Sequence, residues 1–65
     1  MIKNKLKEIR MREYMMTGQD FAKMLNVSRT TYSNWEVGTS RPTLDKALEI
    51  AKQLNKDIGY IWYLE

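Results

Sequence analysis

The spacing of the apolar residues constrains this chain more than any other feature. Along most of its 65 residues they recur every three or four positions, which is the period of an α-helix that buries one face. The most regular stripe comprises Leu44, Ala47, Leu48, Ala51 and Leu54. Long alternating runs of β-branched residues, the mark of strands, are missing. The pattern therefore predicts an all-α fold without strands.

The absence of cysteine and histidine limits both the fold and the chemistry. A chain of this length forms one domain near the lower size limit for stable folding. Without disulfides or a zinc site, it must rely on tight helix packing, on oligomerisation or on both. The commonest general base and the most reactive nucleophile are missing, and the carboxylates show no paired spacing. We expect no enzyme, metal, cofactor or small-molecule ligand.

The charge of the chain is modest and uneven. The net charge is +3, and the first twelve residues hold five Lys and Arg against Glu8 alone. A basic domain suits a polyanion such as nucleic acid, although an ordinary solvated surface explains this charge equally well. No apolar run approaches the roughly 20 residues that span a bilayer, and the charged start does not resemble a signal peptide. We therefore expect a cytoplasmic protein.

Residues that favour helix ends divide the chain into five predicted helices. The first runs from about Lys3 to Met15, and a short fifth helix runs from Ile58 to Tyr63. Between them, the expected N-caps and stop signals are Thr17, Ser28, Gly38 and, opening the fourth helix, Pro42 or Thr43.

The stretch from residue 18 to residue 36 carries the functional information. Two short helices are joined there by only a few residues, with the small Ala22 where their backbones meet and Asn26, which tolerates a left-handed backbone, at the bend. The apolar residues expected to fill the inside of the corner are Leu25, Val27, Tyr32 and Trp35. This is the geometry of a helix-turn-helix, in which the second helix is presented to the major groove of DNA.

On these residues the chain resembles the Cro/repressor-type, or XRE-like, helix-turn-helix transcriptional regulators, in particular small stand-alone members. The matching residues are Thr17, Phe21, Ala22, Leu25, Val27, Ser28, Tyr32, Trp35, Glu36, Gly38, Pro42, Leu44, Ile50, Ala51 and Leu54. The resemblance implies a compact five-helix, phage-repressor-like DNA-binding domain over residues 1–65, with the helix-turn-helix at about 18–37. It also implies sequence-specific binding of double-stranded DNA, with repression as the default role.

The resemblance assigns roles to individual polar residues. Arginine can grip a guanine edge with two hydrogen bonds and asparagine an adenine edge, so the exposed face of the third helix is expected to read bases. The base-reading candidates are Arg29, Thr30, Ser33 and Asn34, which composition alone would leave as a solvated face. The phosphate-binding candidates are Gly18, Gln19, Thr31, Thr39, Ser40 and Arg41.

Three positions depart from the family pattern. Gly18 stands where the family usually has glutamine, with Gln19 following, and Asn26 stands where glycine is usual. The interval from Arg10 to Thr17 is one residue longer than usual, so the first helix or its loop holds an extra residue. The family often joins an arginine of the first helix to the glutamate that ends the third. That implies a salt bridge between Arg10 and Glu36, with Arg12 as a rival.

The last informative feature of the sequence is the aromatic tail, residues 60–63. Four large side chains at a chain end exceed what so small a core can bury, so a homodimer interface is expected at Tyr60, Ile61, Trp62 and Tyr63. Packing on the first and fourth helices is the alternative. A homodimer would place one recognition helix in each half-site, about 34 Å apart. The alternatives to a DNA reader are a protein-interaction or antitoxin-like module, and non-specific nucleic-acid or membrane binding through residues 1–12.

Overall fold

The computed structural model describes all 65 residues and contains five helices and two short strands. In chain order the elements are β1 (Ile2–Asn4), α1 (Leu6–Ile9) with a π-helical turn (Arg10–Tyr14), α2 (Gly18–Met24), α3 (Arg29–Val37), α4 (Leu44–Gln53), α5 (Ile58–Ile61) and β2 (Trp62–Leu64). The predicted five-helix architecture is confirmed. No helix combines the length and apolar character needed to cross a membrane.

The helix ends lie close to where the capping residues predict them. The hydroxyl of Thr17 accepts the Asp20 N–H at 3.1 Å at the start of α2, and Thr43 accepts the Lys46 N–H at 3.3 Å at the start of α4. Gly38 ends α3 with φ 95°, a left-handed conformation that glycine adopts without steric cost. Local side-chain chemistry therefore sets these boundaries.

The prediction that the chain has no strands is wrong. β1 and β2 pair antiparallel, with Ile2 opposite Leu64 and Asn4 opposite Trp62. The ladder continues into the helices, because the Lys5 N–H donates to the Ile61 carbonyl at 2.9 Å. The pairing shortens the first helix at its start and the fifth at its end. Strands of three residues are too short to leave an alternating pattern in the sequence.

The buried face of α4 is also rotated from the predicted stripe. Leu44 is 69% exposed and Leu48 is 50% exposed, whereas Ile50, which the stripe omits, is buried. A ten-residue helix buries only one stripe of its surface, and here the core lies on the side of Ile50. The buried core consists of Leu6, Ile9, Phe21, Ala22, Leu25, Tyr32, Trp35, Ala47, Ile50, Ala51, Leu54 and Ile61.

The π-helical turn lies between α1 and α2. It spans Arg10–Tyr14 and is followed by Met15, whose φ of 50° turns the chain sharply toward α2. A π-turn contains more residues than an α-turn, and this turn begins only at Arg10. The side chain of Arg10 therefore keeps the orientation that α1 gives it.

Candidate nucleic-acid interface

A sharp corner separates α2 from α3. The corner residue Asn26 has φ 61°, its N–H donates to the Lys23 carbonyl at 3.0 Å, and the Val27 N–H donates to the Ala22 carbonyl at 3.0 Å. These two bonds form the Schellman motif, which satisfies the last carbonyls of a helix. The left-handed bend predicted at Asn26 is confirmed, and it turns the chain directly into α3.

The N-terminus of α3 is capped within the corner. The Ser28 hydroxyl accepts the Thr31 N–H at 3.1 Å and donates to the Thr31 hydroxyl at 2.8 Å. This arrangement leaves the hydroxyl hydrogen of Thr31 free to donate to an incoming acceptor. The predicted cap at Ser28 is confirmed.

The two faces of α3 have opposite chemistry. Tyr32 and Trp35 are buried, as their spacing predicts, and the Phe21 ring packs edge-on against Tyr32 with 5.4 Å between ring centroids. The opposite face is exposed, and the four side chains lining one open polar depression there are Arg29, Thr30, Ser33 and Asn34. This surface presents a guanidinium, two hydroxyls and an amide, which are the groups that pair with base edges.

The beginning of α2 lies beside this surface. A second depression brings Gly18 together with Arg29 and Ser33, so it adjoins the first through the two residues of α3. Gln19 is exposed in the same first turn of α2. Backbone N–H groups at a helix start attract anions. The structure thus brings one predicted phosphate candidate, Gly18, to the edge of the polar face of α3, and Gln19 follows it in the chain.

The loop after α3 holds the phosphate candidates Thr39, Ser40 and Arg41. The N–H groups of Gly38, Thr39 and Ser40 converge on the Asn34 carbonyl at 2.9, 3.0 and 3.4 Å. The Thr39 hydroxyl lies 3.3 Å from the same carbonyl, and the Thr39 side chain is exposed. The side chains of Ser40 and Arg41 are exposed.

A partly buried ion pair joins the first helix to the end of α3. The Arg10 Nε lies 2.8 Å from Glu36 Oε2, and the two side chains are 15% and 14% exposed. Arg10 also donates through Nη1 to the Met16 carbonyl at 2.9 Å. The rival Arg12 instead pairs with Glu8 at 3.2 Å on the surface. Glu36, the one acidic residue of α3, is thus neutralised from within the protein.

The hydroxyl of Tyr32 extends this pair into a cluster of three. It donates to Glu36 Oε2, the same oxygen that Arg10 contacts. The hydrogen bond to Glu36 raises the pKa of Arg10 above its ordinary value. Burial, together with the hydrogen bond to the Glu36 carboxylate, raises the pKa of Tyr32 far above 10.0. Both groups therefore stay protonated at physiological pH.

Sequence reasoning missed three of the contacts that hold the helices of this region. The Asn4 amide donates to the Trp35 carbonyl at 2.8 Å, and the Gln53 amide donates to the Met24 carbonyl at 2.7 Å. Both pairs are about 30 residues apart, so no local pattern reveals them. The third contact, between Tyr32 and Glu36, could have been predicted from the sequence, because residues four apart are neighbours on a helix surface.

The aromatic tail does not form one continuous surface. Ile61 is fully buried inside the chain, so the prediction that it lies in a dimer interface is wrong. Trp62 and Tyr63 are half-buried, and Tyr60 is exposed. The Lys5 Nζ lies 4.6 Å from the centre of the Tyr60 ring, and the Lys56 Nζ lies 5.0 Å from it. Ammonium groups of the same chain therefore cover part of this aromatic surface.

Comparison with known proteins agrees with this geometry. The family model described as helix-turn-helix matches residues 6–61, which is most of the chain. The match includes α2, the corner and α3. No curated protein gives a significant match.

Proposed function

Because the chain belongs to the helix-turn-helix family of the Cro/XRE type, a DNA-binding family of transcription regulators, we propose that it reads the major groove of double-stranded DNA with α3. One observation carries the proposal: Tyr32 and Trp35 anchor one face of α3 in the core while the opposite face is polar and uncovered. A helix fits the major groove, where each base pair presents a distinct pattern of donors and acceptors.

The four exposed side chains of α3 would contact the base edges. In this proposal Arg29 grips a guanine and Asn34 an adenine, each pairing contributing about 1–3 kcal/mol of discrimination, and Thr30 and Ser33 make single contacts. The internal pairing of Glu36 with Arg10 supports this role, because an unpaired carboxylate at the same helix would repel phosphates.

Contacts to the DNA backbone would position α3 in the groove. The candidates are Gly18, Gln19, Thr31, Thr39, Ser40 and Arg41, which lie at the start of α2, at the start of α3 and in the loop after α3. Phosphate contacts fix register and carry no sequence information. They also make binding strongly dependent on salt, since each neutralised phosphate releases counterions.

The DNA-bound form in this proposal is a homodimer with half-sites about 34 Å apart. A second copy is supported by apolar residues that the fold leaves uncovered, namely Ile2, Leu44, Leu48 and Leu64. The first two line one groove with Pro42, Ile58 and Trp62. We place the interface at this groove and at Tyr60, Trp62 and Tyr63. The proposed role is that of a repressor acting in the cytoplasm.

Selection of binding sites from random duplexes tests the proposal. We expect a palindromic site with two half-sites, and binding that weakens steeply with salt. Arg29→Ala and Asn34→Ala should each weaken specific binding about 5- to 150-fold, which corresponds to about 1–3 kcal/mol per pairing. Lys52→Ala, which removes an exposed charge from α4, is the control and should retain specificity. Absence of any duplex binding at low salt would refute the proposal and favour a protein-interaction module.

A further inference from the structure

The C-terminal end of α3 differs from those of the two helices that flank it. In α2 and α4 the N–H of the left-handed residue, Asn26 or Asn55, donates to the carbonyl three residues earlier, at 3.0 and 3.1 Å. In α3 the N–H of Gly38 passes over the equivalent carbonyl, that of Trp35, and donates to the Asn34 carbonyl. No backbone N–H remains for the Trp35 carbonyl. Such orphan carbonyls need another donor.

The donor is the side chain of Asn4. Its Nδ2 lies 2.8 Å from the Trp35 carbonyl oxygen, although 31 residues separate the two in sequence. Its Oδ1 accepts the Leu6 N–H at 3.1 Å, which caps α1, since Lys5 at the N-cap position makes no side-chain cap bond. The Asn4 amide therefore satisfies both a backbone N–H at the start of α1 and a backbone carbonyl at the end of α3.

The terminal sheet holds this amide in place. Asn4 lies in β1 directly opposite Trp62, and the Lys5 N–H donates to the Ile61 carbonyl. The backbone on both sides of the Asn4 side chain is therefore fixed by the C-terminal end of the chain. The two strands thus fix the position of the Asn4 amide.

Glu36, which follows Trp35 in α3, is also bound by a residue of the N-terminal segment. Arg10 contacts the Glu36 carboxylate while Asn4 contacts the Trp35 carbonyl, so two successive residues of the last turn are attached to the N-terminal segment. Tyr32 and Trp35 already anchor one face of α3 in the core, and these two attachments limit the rotation that remains at its last turn. Rotation of α3 determines where its base-reading side chains point.

We propose that Asn4 is a positioning residue for DNA recognition: its amide locks the last turn of α3 and thereby aims the side chains of α3 at the bases. This inference rests on the proposed function. In this role Asn4 acts through α3 and not by contacting DNA. Its loss should therefore reduce the preference for the specific site and leave non-specific affinity, which comes from phosphate contacts, unchanged.

Asn4→Ser tests this role, because a serine hydroxyl retains an acceptor for the Leu6 N–H but is too short to reach Trp35. Asn4→Asp is the second variant, since its carboxylate keeps the acceptor and loses the donor. We expect affinity for the selected site to fall about fivefold in each, the loss that one hydrogen bond of typical strength implies. The ratio of specific to non-specific affinity should fall by the same factor in Asn4→Ser. The matched control Lys3→Ser, in the same strand, should keep that ratio.

Hydrogen exchange gives a readout that does not need DNA. The amide hydrogens of Gly38 and Thr39, which close the end of α3, should exchange severalfold faster in Asn4→Ser than in the wild type. Unchanged exchange together with an unchanged specificity ratio would overturn the positioning role. If the wild type itself binds no duplex selectively, the proposed function fails, and the exchange measurement still decides whether Asn4 locks α3.

Discussion

Arg10 and Arg12 lie in the same π-helical turn, and each forms an ion pair with a glutamate. We expect the two pairs to differ greatly in their contribution to the free energy of unfolding. The Arg10–Glu36 side chains are about 15% exposed and joined to Tyr32, whereas the Arg12–Glu8 side chains are 78% and 47% exposed. Removing one partner of a buried pair leaves an unpaired charge, which costs about 3–5 kcal/mol. An exposed pair four residues apart contributes only about 0.3–0.5 kcal/mol.

A double-mutant cycle for each pair measures this difference. The partners are replaced by alanine singly and together, and the free energy of unfolding is measured by urea denaturation. We expect a coupling energy of about 2 kcal/mol for Arg10 with Glu36, allowing for the residual exposure of both groups, against less than about 0.5 kcal/mol for Arg12 with Glu8. The Glu36→Ala change also removes the hydrogen-bond acceptor of the Tyr32 hydroxyl. This loss occurs in both Glu36→Ala and the double variant, so it cancels from the coupling energy.

The conditions matter because the chain is small. A domain of this size rarely exceeds about 3–5 kcal/mol of stability, so Arg10→Ala should be largely unfolded at 37 °C. The cycle should therefore be run at about 10–20 °C, where stability is usually greatest. Equal coupling energies for the two pairs would refute the reasoning, because burial would then have no effect on the value of an ion pair.

Two further predictions concern pH and self-association. Because the folded state raises the pKa of Tyr32 above 10.0, the stability from its protonated hydroxyl is complete below about pH 10 and is lost as pH rises further. Tyr32→Phe should therefore flatten the alkaline loss of stability measured by urea denaturation between pH 9 and pH 11, and an unchanged slope would contradict this assignment. Leu44→Lys and Leu48→Lys should keep the helical circular dichroism but reduce dimer formation in sedimentation equilibrium, since both side chains are exposed. Met11→Lys is the control, and a dimer that survives both leucine changes would place the interface elsewhere.

The sequence predicts the helices of this fold well because their boundaries depend on local chemistry. Thr17, Ser28 and Thr43 cap helix starts with their own hydroxyls, and Asn26 and Gly38 accept the left-handed backbone at the ends. Each signal lies within a few residues of the boundary it sets. The exposed polar face of α3 was predictable for the same reason, since the spacing of Tyr32 and Trp35 fixes which side faces inward.

The remaining features depend on residues that are far apart in the chain. The pairing of Ile2 with Leu64 joins the two ends, and no pattern within three residues predicts it. The orientation of α4 depends on which flank meets the core, and the apolar residues Leu48 and Ile50 lie on opposite sides of the helix. The contact of Asn4 with Trp35 requires both the sheet and the position of α3, so it follows only from the assembled fold.

The π-helical turn after Arg10 has a consequence for how this chain tolerates insertions and deletions. Upstream of Arg10, one residue more or less would swing its guanidinium about 100° around the helix axis and break the contact with Glu36. Downstream, the wide turn and the left-handed Met15 separate Arg10 from Thr17, outside the regular α-helices. Natural length variation among related chains should therefore concentrate in this short interval, where the backbone can contract to an ordinary α-turn and leave the polar face of α3 undisturbed.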